Sequence, residues 1–432
     1  MNTSISFSNT LTCAQQLDQQ DSLHSFRDKF YIPIVNGKEC YYFTGNSLGL
    51  QPKTAQDYVL NELEDWANYG TEGYFHARNP WVDYHDLFPN LVADIVGALP
   101  EEVVVMNQLT VNLHLLMVSF YRPTQDRFKI ICEAKAFPSD QYAFHSQVLF
   151  HGLNPADAII EVGPREGTDY IEPSDILEAI KKHGNETALV LFGGVNYYNG
   201  QLFDLKAITK AAHEIGALCG FDLAHAAGNV HLELHEWDVD FACWCTYKYL
   251  NSGPAGVAGA FIHQRHIFNS QLPRFAGWWG HNRETRFKMG KEFDPIPTAE
   301  GWQLSNTSIL SMAAHKASLD IFAEAGMHNL VKKGKHLSAY LIYILDQINQ
   351  QFEEAVLKVI TPINDNERGC QVSIQLKQHG RKIFDELKKE GVIADWREPD
   401  VIRVTPVPLY NRYEDVYQFG CILQKLIIQF SA

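Results

Sequence analysis

A chain of 432 residues, 46% apolar and 20% charged, is long enough for two or three domains, each with its own core. Its formal net charge of −15 argues against nucleic acid or an anionic membrane surface as a partner. The eight cysteines form no CxxC pair and most lie in apolar strand-like runs, which points to buried thiols in a reducing compartment and to no metal site.

Residues 1–6 lack a basic and an apolar leader region, and no run of about 18 apolar residues follows, so a cytoplasmic chain without a membrane span is expected. Residues 10–30 are polar and weakly helical and read as an N-terminal arm. The segment Tyr41-Tyr42-Phe43-Thr44-Gly45-Asn46-Ser47-Leu48-Gly49 is a strand-like entry into a glycine-flanked turn, with Pro52 placed to begin a helix. An amphipathic helix is predicted over 54–69, then an irregular loop over 70–81, rich in glycine and aromatics, that either packs on the surface or shapes a pocket.

A helix over 84–98 precedes the apolar strand 103–106, the turn Asn107-Gln108-Leu109-Thr110 and a helix over 111–121. Strand, polar turn and helix present free N–H groups and a hydroxyl to an anion; Thr110 as a helix N-cap is compatible with that. The strand 128–132 exits through Glu133 to Asp140, and Phe137 there either stacks on a planar ring or belongs to the core. Further strands over 158–162 and 188–192 alternate with helices over 173–183 and 205–216, which implies a doubly wound, mostly parallel sheet with ligands at the strands' carboxyl ends.

The next two strands deliver the chemistry. One, over 218–221, carries Asp222 at its end; the other, over 240–245, leads to Tyr247 and Lys248, and Gly253, Gly256 and Gly259 loosen the chain before a strand over 257–262. A lysine that forms an imine with an aldehyde, and a carboxylate that keeps a pyridine nitrogen protonated, are what pyridoxal phosphate chemistry needs. An ordinary acid–base pair bordering a sheet has the same spacing. The Trp-, Arg- and Gly-rich segment 273–302 has the make-up of a subunit interface. Helices over 309–325 and 328–354, strands over 356–361, 370–376 and 401–404, and helices over 381–390 and from 414 then form a separate α+β domain. Arg403 in an apolar strand needs an anion: an internal carboxylate, or the α-carboxylate of an amino acid.

The runs Phe221-Asp222-Leu223-Ala224-His225-Ala226-Ala227-Gly228-Asn229-Val230 and Asp240-Phe241-Ala242-Cys243-Trp244-Cys245-Thr246-Tyr247-Lys248-Tyr249-Leu250-Asn251 closely resemble the cofactor segments of kynureninases, and the likeness extends from about residue 42 to 417. The resemblance implies a fold-type I α/β enzyme with a large domain over 71–305, a small domain over 306–432 and an arm over 1–70 that joins the small domain. It implies pyridoxal 5'-phosphate as a covalent Schiff base on Lys248, with Asp222 on the ring nitrogen and Tyr247 binding phosphate and relaying protons. Leu109 and Thr110 then meet the phosphate; Phe137, Pro138, Ser139, Asp140 and His225 orient the ring. Ser47, Asn306 and Arg403 bind substrate, and Trp278 and Asn306 reach the site of the neighbouring subunit in a homodimer. Many kynureninases carry a histidine in the 71–76 loop; here Thr71, Tyr74 and His76 are the candidates. Gly193 stands where a serine is frequent.

The reaction implied is hydrolysis of L-kynurenine or 3-hydroxy-L-kynurenine to anthranilate or 3-hydroxyanthranilate and L-alanine, in tryptophan catabolism and NAD biosynthesis. A cysteine desulfurase or an aminotransferase of the same fold is the enzymatic alternative. A cofactor-binding regulator is the other, disfavoured by the acidic charge and the lack of a basic N-terminal domain.

Overall fold

The computed structural model describes residues 6–269 and 271–431; residues 1–5, most of the stretch in which no leader was expected, lie outside them. Seven strands form one sheet in the order Val103–Met106, Ala258–Ile262, Phe241–Cys245, Leu218–Asp222, Thr187–Gly193, Lys129–Glu133 and Ile159–Val162. Ala258–Ile262 runs against both neighbours, and the other six strands share one direction. The apolar runs that predicted these strands are buried on both faces, as parallel strands covered by helices must be. Alternation splits the core: Cys243 packs with Phe120 and Phe144 on one face, while Trp244 packs with Phe221 and Ile208 on the other.

Gly259 corrects one expectation. It lies inside Ala258–Ile262 rather than in a loosened approach to it, and a Cβ there would come 2.2 Å from the Trp244 ring. The glycine makes room for the largest side chain of the sheet.

A second, antiparallel sheet has the order Leu357–Val359, Val372–Leu376, Val401–Val404, Asp395–Arg397. Its core joins Leu341 and Ile344 of the helix Met327–Asn349 to Leu387, Phe419 and Leu423, and takes in Cys13, Leu17 and Phe43 from the start of the chain. The helix Ala55–Tyr69 packs on the helix Ile309–Ala325 instead, where Tyr58 Oη donates to Asp320 Oδ2 at 2.7 Å.

Other differences are local. The helix expected over 84–98 is a 3-10 turn, Tyr84–Leu87, followed by Pro89–Val96, because proline is tolerated only in a first helical turn. The loop expected over 70–81 contains helical turns at Gly70–Glu72 and Gly73–His76. The helix Met327–Asn349 stops short of 354: the Asn349 side chain accepts the Val356 and Leu357 N–H groups at 2.9 and 3.1 Å. Among the described residues no helix is long and apolar enough to cross a membrane.

Candidate active site

The carboxyl ends of the parallel strands surround one cavity. Leu109, Thr110, Phe137, Ser139, Asp140, Asp222, His225, Tyr247 and Lys248, all expected there, line it. Pro138 is the first residue of the helix Pro138–Phe150 and aims that helix at the cavity without bordering it.

Asp222 ends its strand buried, and its Oδ1 accepts the Ala224 N–H at 2.7 Å. Asp140, in the first turn of Pro138–Phe150, stands against it. Burial pushes both carboxyls up, and the Asp222 charge pushes Asp140 further. Of the two, Asp140 is pushed up harder, while the Ala224 N–H and the Lys248 charge favour the ionised form of Asp222.

Lys248 Nζ lies 3.1 Å from His225 Nε2 and 5.8 and 5.9 Å from the ring centroids of Phe137 and Tyr247. Burial, then the charges of Lys248, Arg403 and Arg397, hold His225 well below the usual imidazole range. It is a neutral ring whose Nε2 faces the ammonium and whose buried Nδ1 has no partner. Phe137 keeps 40% of its surface open, with its ring set edge-on to Tyr197 at 5.2 Å.

At the head of the helix Leu109–Phe120 the N-cap is Gln108, which makes no side-chain capping bond. Thr110 is thus the second helical residue and not the cap, a correction that leaves its hydroxyl beside uncapped N–H groups. A helix terminus of this kind attracts a phosphate.

Ser47 and Arg403 meet beside this cavity. Arg403 is 1% exposed, and its Nη1 donates to the Tyr197 carbonyl at 2.7 Å while Nη2 reaches Ser47 Oγ at 3.1 Å. Nη2 also pairs with Asp395. The internal ion pair that the sequence left open is therefore present. The loop carrying Ser47 is registered to the lysine: Gly49 N–H donates to the Tyr247 carbonyl at 2.8 Å, and a Cβ on Gly49 would lie 2.4 Å from the Lys248 carbonyl oxygen.

Trp278 and Asn306 do not border the cavity. Trp278 is 48% exposed with its indole N–H on the Arg286 carbonyl, and Asn306 Nδ2 lies 3.5 Å from Tyr74 Oη. Of the 71–76 candidates, then, Tyr74 is the one beside Asn306; His76 faces Glu72 at 3.7 Å.

Four residues at the site were missed. Glu133 was read as the start of an exit loop, yet its carboxylate accepts the Gly193 N–H at 3.2 Å and Asn196 Nδ2 at 2.7 Å inside the cavity wall. A Cβ on Gly193 would fall 2.6 Å from Glu133 Oε1, so the glycine in place of a serine leaves room for this acid. Tyr197, Asp395 and Arg397 lie in segments without apolar periodicity. Elsewhere Glu102, His235 and His263 bring ligand atoms within 4.8 Å of one another, but Glu102 Oε1 is already held by His235 Nδ1 at 2.9 Å and the Gln264 N–H at 2.8 Å.

Residues 330–423 match the family model described as the kynureninase C-terminal domain. The chain is 58% identical to the kynureninase of Flavobacterium psychrophilum, covering 98% of this chain and 99% of that one. Against the kynureninase of Mus musculus identity is 45%, covering 96% and 92%. Among solved structures, a cysteine desulfurase from Escherichia coli superposes with a TM-score of 0.75 at 13% identity over 94% of this chain and 99% of that one, which speaks to the fold alone. One from Thermococcus onnurineus gives 0.73 at 18% identity over 90% and 95%. With near-complete coverage and identities far above 30%, the chain belongs to the kynureninase family.

Proposed function

We propose that this chain hydrolyses the Cβ–Cγ bond of L-kynurenine or its 3-hydroxy form, giving the aryl amine acid and L-alanine, with pyridoxal 5'-phosphate held covalently by Lys248. The observation that carries the reading is one cavity that joins a lysine, a buried pair of facing carboxyls, an open aromatic face and an uncapped helix terminus. That set fits the cofactor: an orphaned imidazole nitrogen and free helix N–H groups await polar partners, and buried Asp222 offers a carboxyl for which a protonated pyridine would be the counter-charge. The cofactor, when bound, supplies the electron sink that stabilises negative charge at the substrate's Cα.

The protein does the rest. Asp222 holds a proton on the ring nitrogen, and Asp140 holds Asp222. Thr110, the N–H groups at Leu109 and Thr110, and the Tyr247 hydroxyl take the phosphate; Phe137 and the neutral His225 bound the ring. Lys248 would hold the cofactor, and its amine is placed to take the Cα proton and to give it back as alanine forms. Arg403 and Ser47 grip the α-carboxylate. Tyr74 and Asn306 meet the aryl group.

The same reading includes a homodimer in which Trp278 and Asn306 complete the neighbour's site. Trp278, Phe287 and Met289, exposed by 48, 56 and 75%, support a covered surface there. It also keeps the division at 71–305 and 306–432, the packing of Cys13, Leu17 and Phe43 supporting the arm's place in the small domain. Buried thiols support a cytoplasmic setting.

The test is to mix the cofactor-loaded protein with L-kynurenine and with 3-hydroxy-L-kynurenine, following the aryl product by fluorescence and alanine by chromatography. Equimolar products that vanish in Lys248→Ala are expected. A wild-type rate in that variant would sink the assignment.

A further inference from the structure

The hairpin Asp395–Arg397 to Val401–Val404 sets Asp395 directly opposite Arg403 in the antiparallel register, so the two side chains share a face by construction. Asp395 Oδ2 takes three neighbours: Arg403 Nη2, Ser47 Oγ and Arg397 Nη2, the last at 3.2 Å. On Arg403, Nη1 is held by the Tyr197 carbonyl, Nη2 is shared between Asp395 and Ser47, and Nε is buried with no partner. Arg397 Nε is buried and unpartnered as well.

A carboxylate gripped side-on by a guanidinium uses the Nε and Nη2 hydrogens together. On Arg403 the first of these is free and the second is shared between Ser47 and Asp395, of which only Asp395 is charged. An incoming α-carboxylate that makes both bonds therefore competes with Asp395, the charged acceptor already on Nη2. Asp395 has somewhere to go, because Arg397 remains beside it. Two guanidiniums against one carboxylate leave one positive charge over, and a substrate carboxylate would balance the set.

We propose that Asp395 is a resident carboxylate that competes with substrate for Arg403: it holds the guanidinium in place before substrate arrives, then cedes the Nη2 hydrogen and transfers to Arg397. Asp395 is thus a positioning residue that sets how tightly the site binds amino acids, and Arg397 is its alternative partner. This rests on Arg403 as the carboxylate-binding residue.

The experiment is calorimetric titration of the cofactor-loaded enzyme with L-alanine and with kynuramine, the substrate skeleton without its carboxylate. Asp395→Asn keeps an oxygen for Arg403 but removes the competing charge, so alanine binds about tenfold tighter, a factor worth about 1.4 kcal/mol, and kynuramine binds as before. Arg397→Gln removes the alternative partner, so Asp395 stays on Arg403 and alanine binds about tenfold more weakly. Arg403→Gln loses alanine binding and keeps that of kynuramine. Melting temperature and cofactor absorption on the same preparations show that each variant is folded and loaded. If Asp395→Asn leaves alanine affinity unchanged or lowers it while Arg403→Gln loses it, Asp395 is a structural counter-ion and this proposal alone falls. If Arg403→Gln binds alanine as the wild type does, the carboxylate role of Arg403 falls and this proposal falls with it.

Discussion

Replacing Asp140 and Asp222 in turn by asparagine separates two carboxyl groups that sequence alone cannot rank. Both are buried, at 5 and 7% exposure, and they face each other. Two like charges about 4 Å apart repel by about 4 kcal/mol at an effective dielectric of 20, the equivalent of about three pKa units, so one of them keeps a proton. The Ala224 N–H, 2.7 Å from Asp222 Oδ1, favours charge on Asp222. No comparable donor serves Asp140: the Ser139 hydroxyl lies 3.4 Å from its Oδ1. Asp140 is the protonated partner and Asp222 the carboxylate.

An asparagine imitates a protonated aspartic acid, with an amide N–H where the acid O–H stood. Asp140→Asn should therefore cost at most about tenfold in kcat/KM, or about 1.4 kcal/mol. Asp222→Asn removes a buried charge that the ring nitrogen's proton depends on, a loss of about 3–5 kcal/mol, so kcat/KM should fall by roughly two to three and a half decades. The assay is aryl amine fluorescence under first-order conditions, with cofactor absorption and melting temperature measured in parallel. Equal losses in both variants, or a greater loss at Asp140, would refute the placement of the proton.

Arg403→Gln should raise KM by about thirtyfold or more with the cofactor absorption unchanged, since truncating one partner of a buried charge pair costs about 2–5 kcal/mol; steady-state kinetics read it, and a lost absorption band would mean a structural role. The fold should survive, because Arg397 remains 3.2 Å from Asp395. Burial pushes the Glu133 carboxyl up to about 7. A raised acid contributes its full stability below an unfolded pKa of about 4.3 and loses it as pH rises through its folded value, so cofactor-free protein should weaken between about pH 5 and 8. Glu133→Gln should flatten that fall by up to about 3 kcal/mol at pH 8, read by denaturant melts at both pH values. Gly259→Ala should destabilise by about 1–3 kcal/mol, since its Cβ would meet the buried Trp244 ring at 2.2 Å, and an unchanged melting temperature would contradict that packing.

What could be read in advance follows from how each residue is placed. Asp222, Phe137, Thr110 and Lys248 stand just after apolar runs, and parallel strands gather their carboxyl ends, so position along the chain already implied position in space. The Tyr84–Leu87 turn and the short helix Gly73–His76 were harder, because four residues carry no helical period to detect. Asp395 was not legible. Its strand reads Asp-Trp-Arg, half-buried at each position, and only the pairing with Val401–Val404 makes it one. A charged residue eight positions before a strand arginine is unremarkable in sequence; the hairpin register turns it into the arginine's counter-ion.

The two halves of the site are held by different physics. The cofactor half stands on strands in the middle of a sheet that are buried on both faces, so the spacing of Asp222 from Lys248 is set by the pairing of Leu218–Asp222 with Phe241–Cys245. The half around Arg403 sits on the antiparallel sheet and has no strand pairing with the first. Several contacts bridge them: the Tyr197 carbonyl on Arg403 Nη1, Ser373 Oγ donating to the Tyr198 carbonyl at 2.7 Å, and the loop with Ser47 on Arg403 and Gly49 against Lys248. Gly49 can be nothing larger without lifting that loop from the lysine. On the proposed reading, the distance between Lys248 and the guanidinium must match the span from a substrate's amine to its carboxylate, and the turn with Ser47 and Gly49 sets it together with the Tyr197–Tyr198 segment.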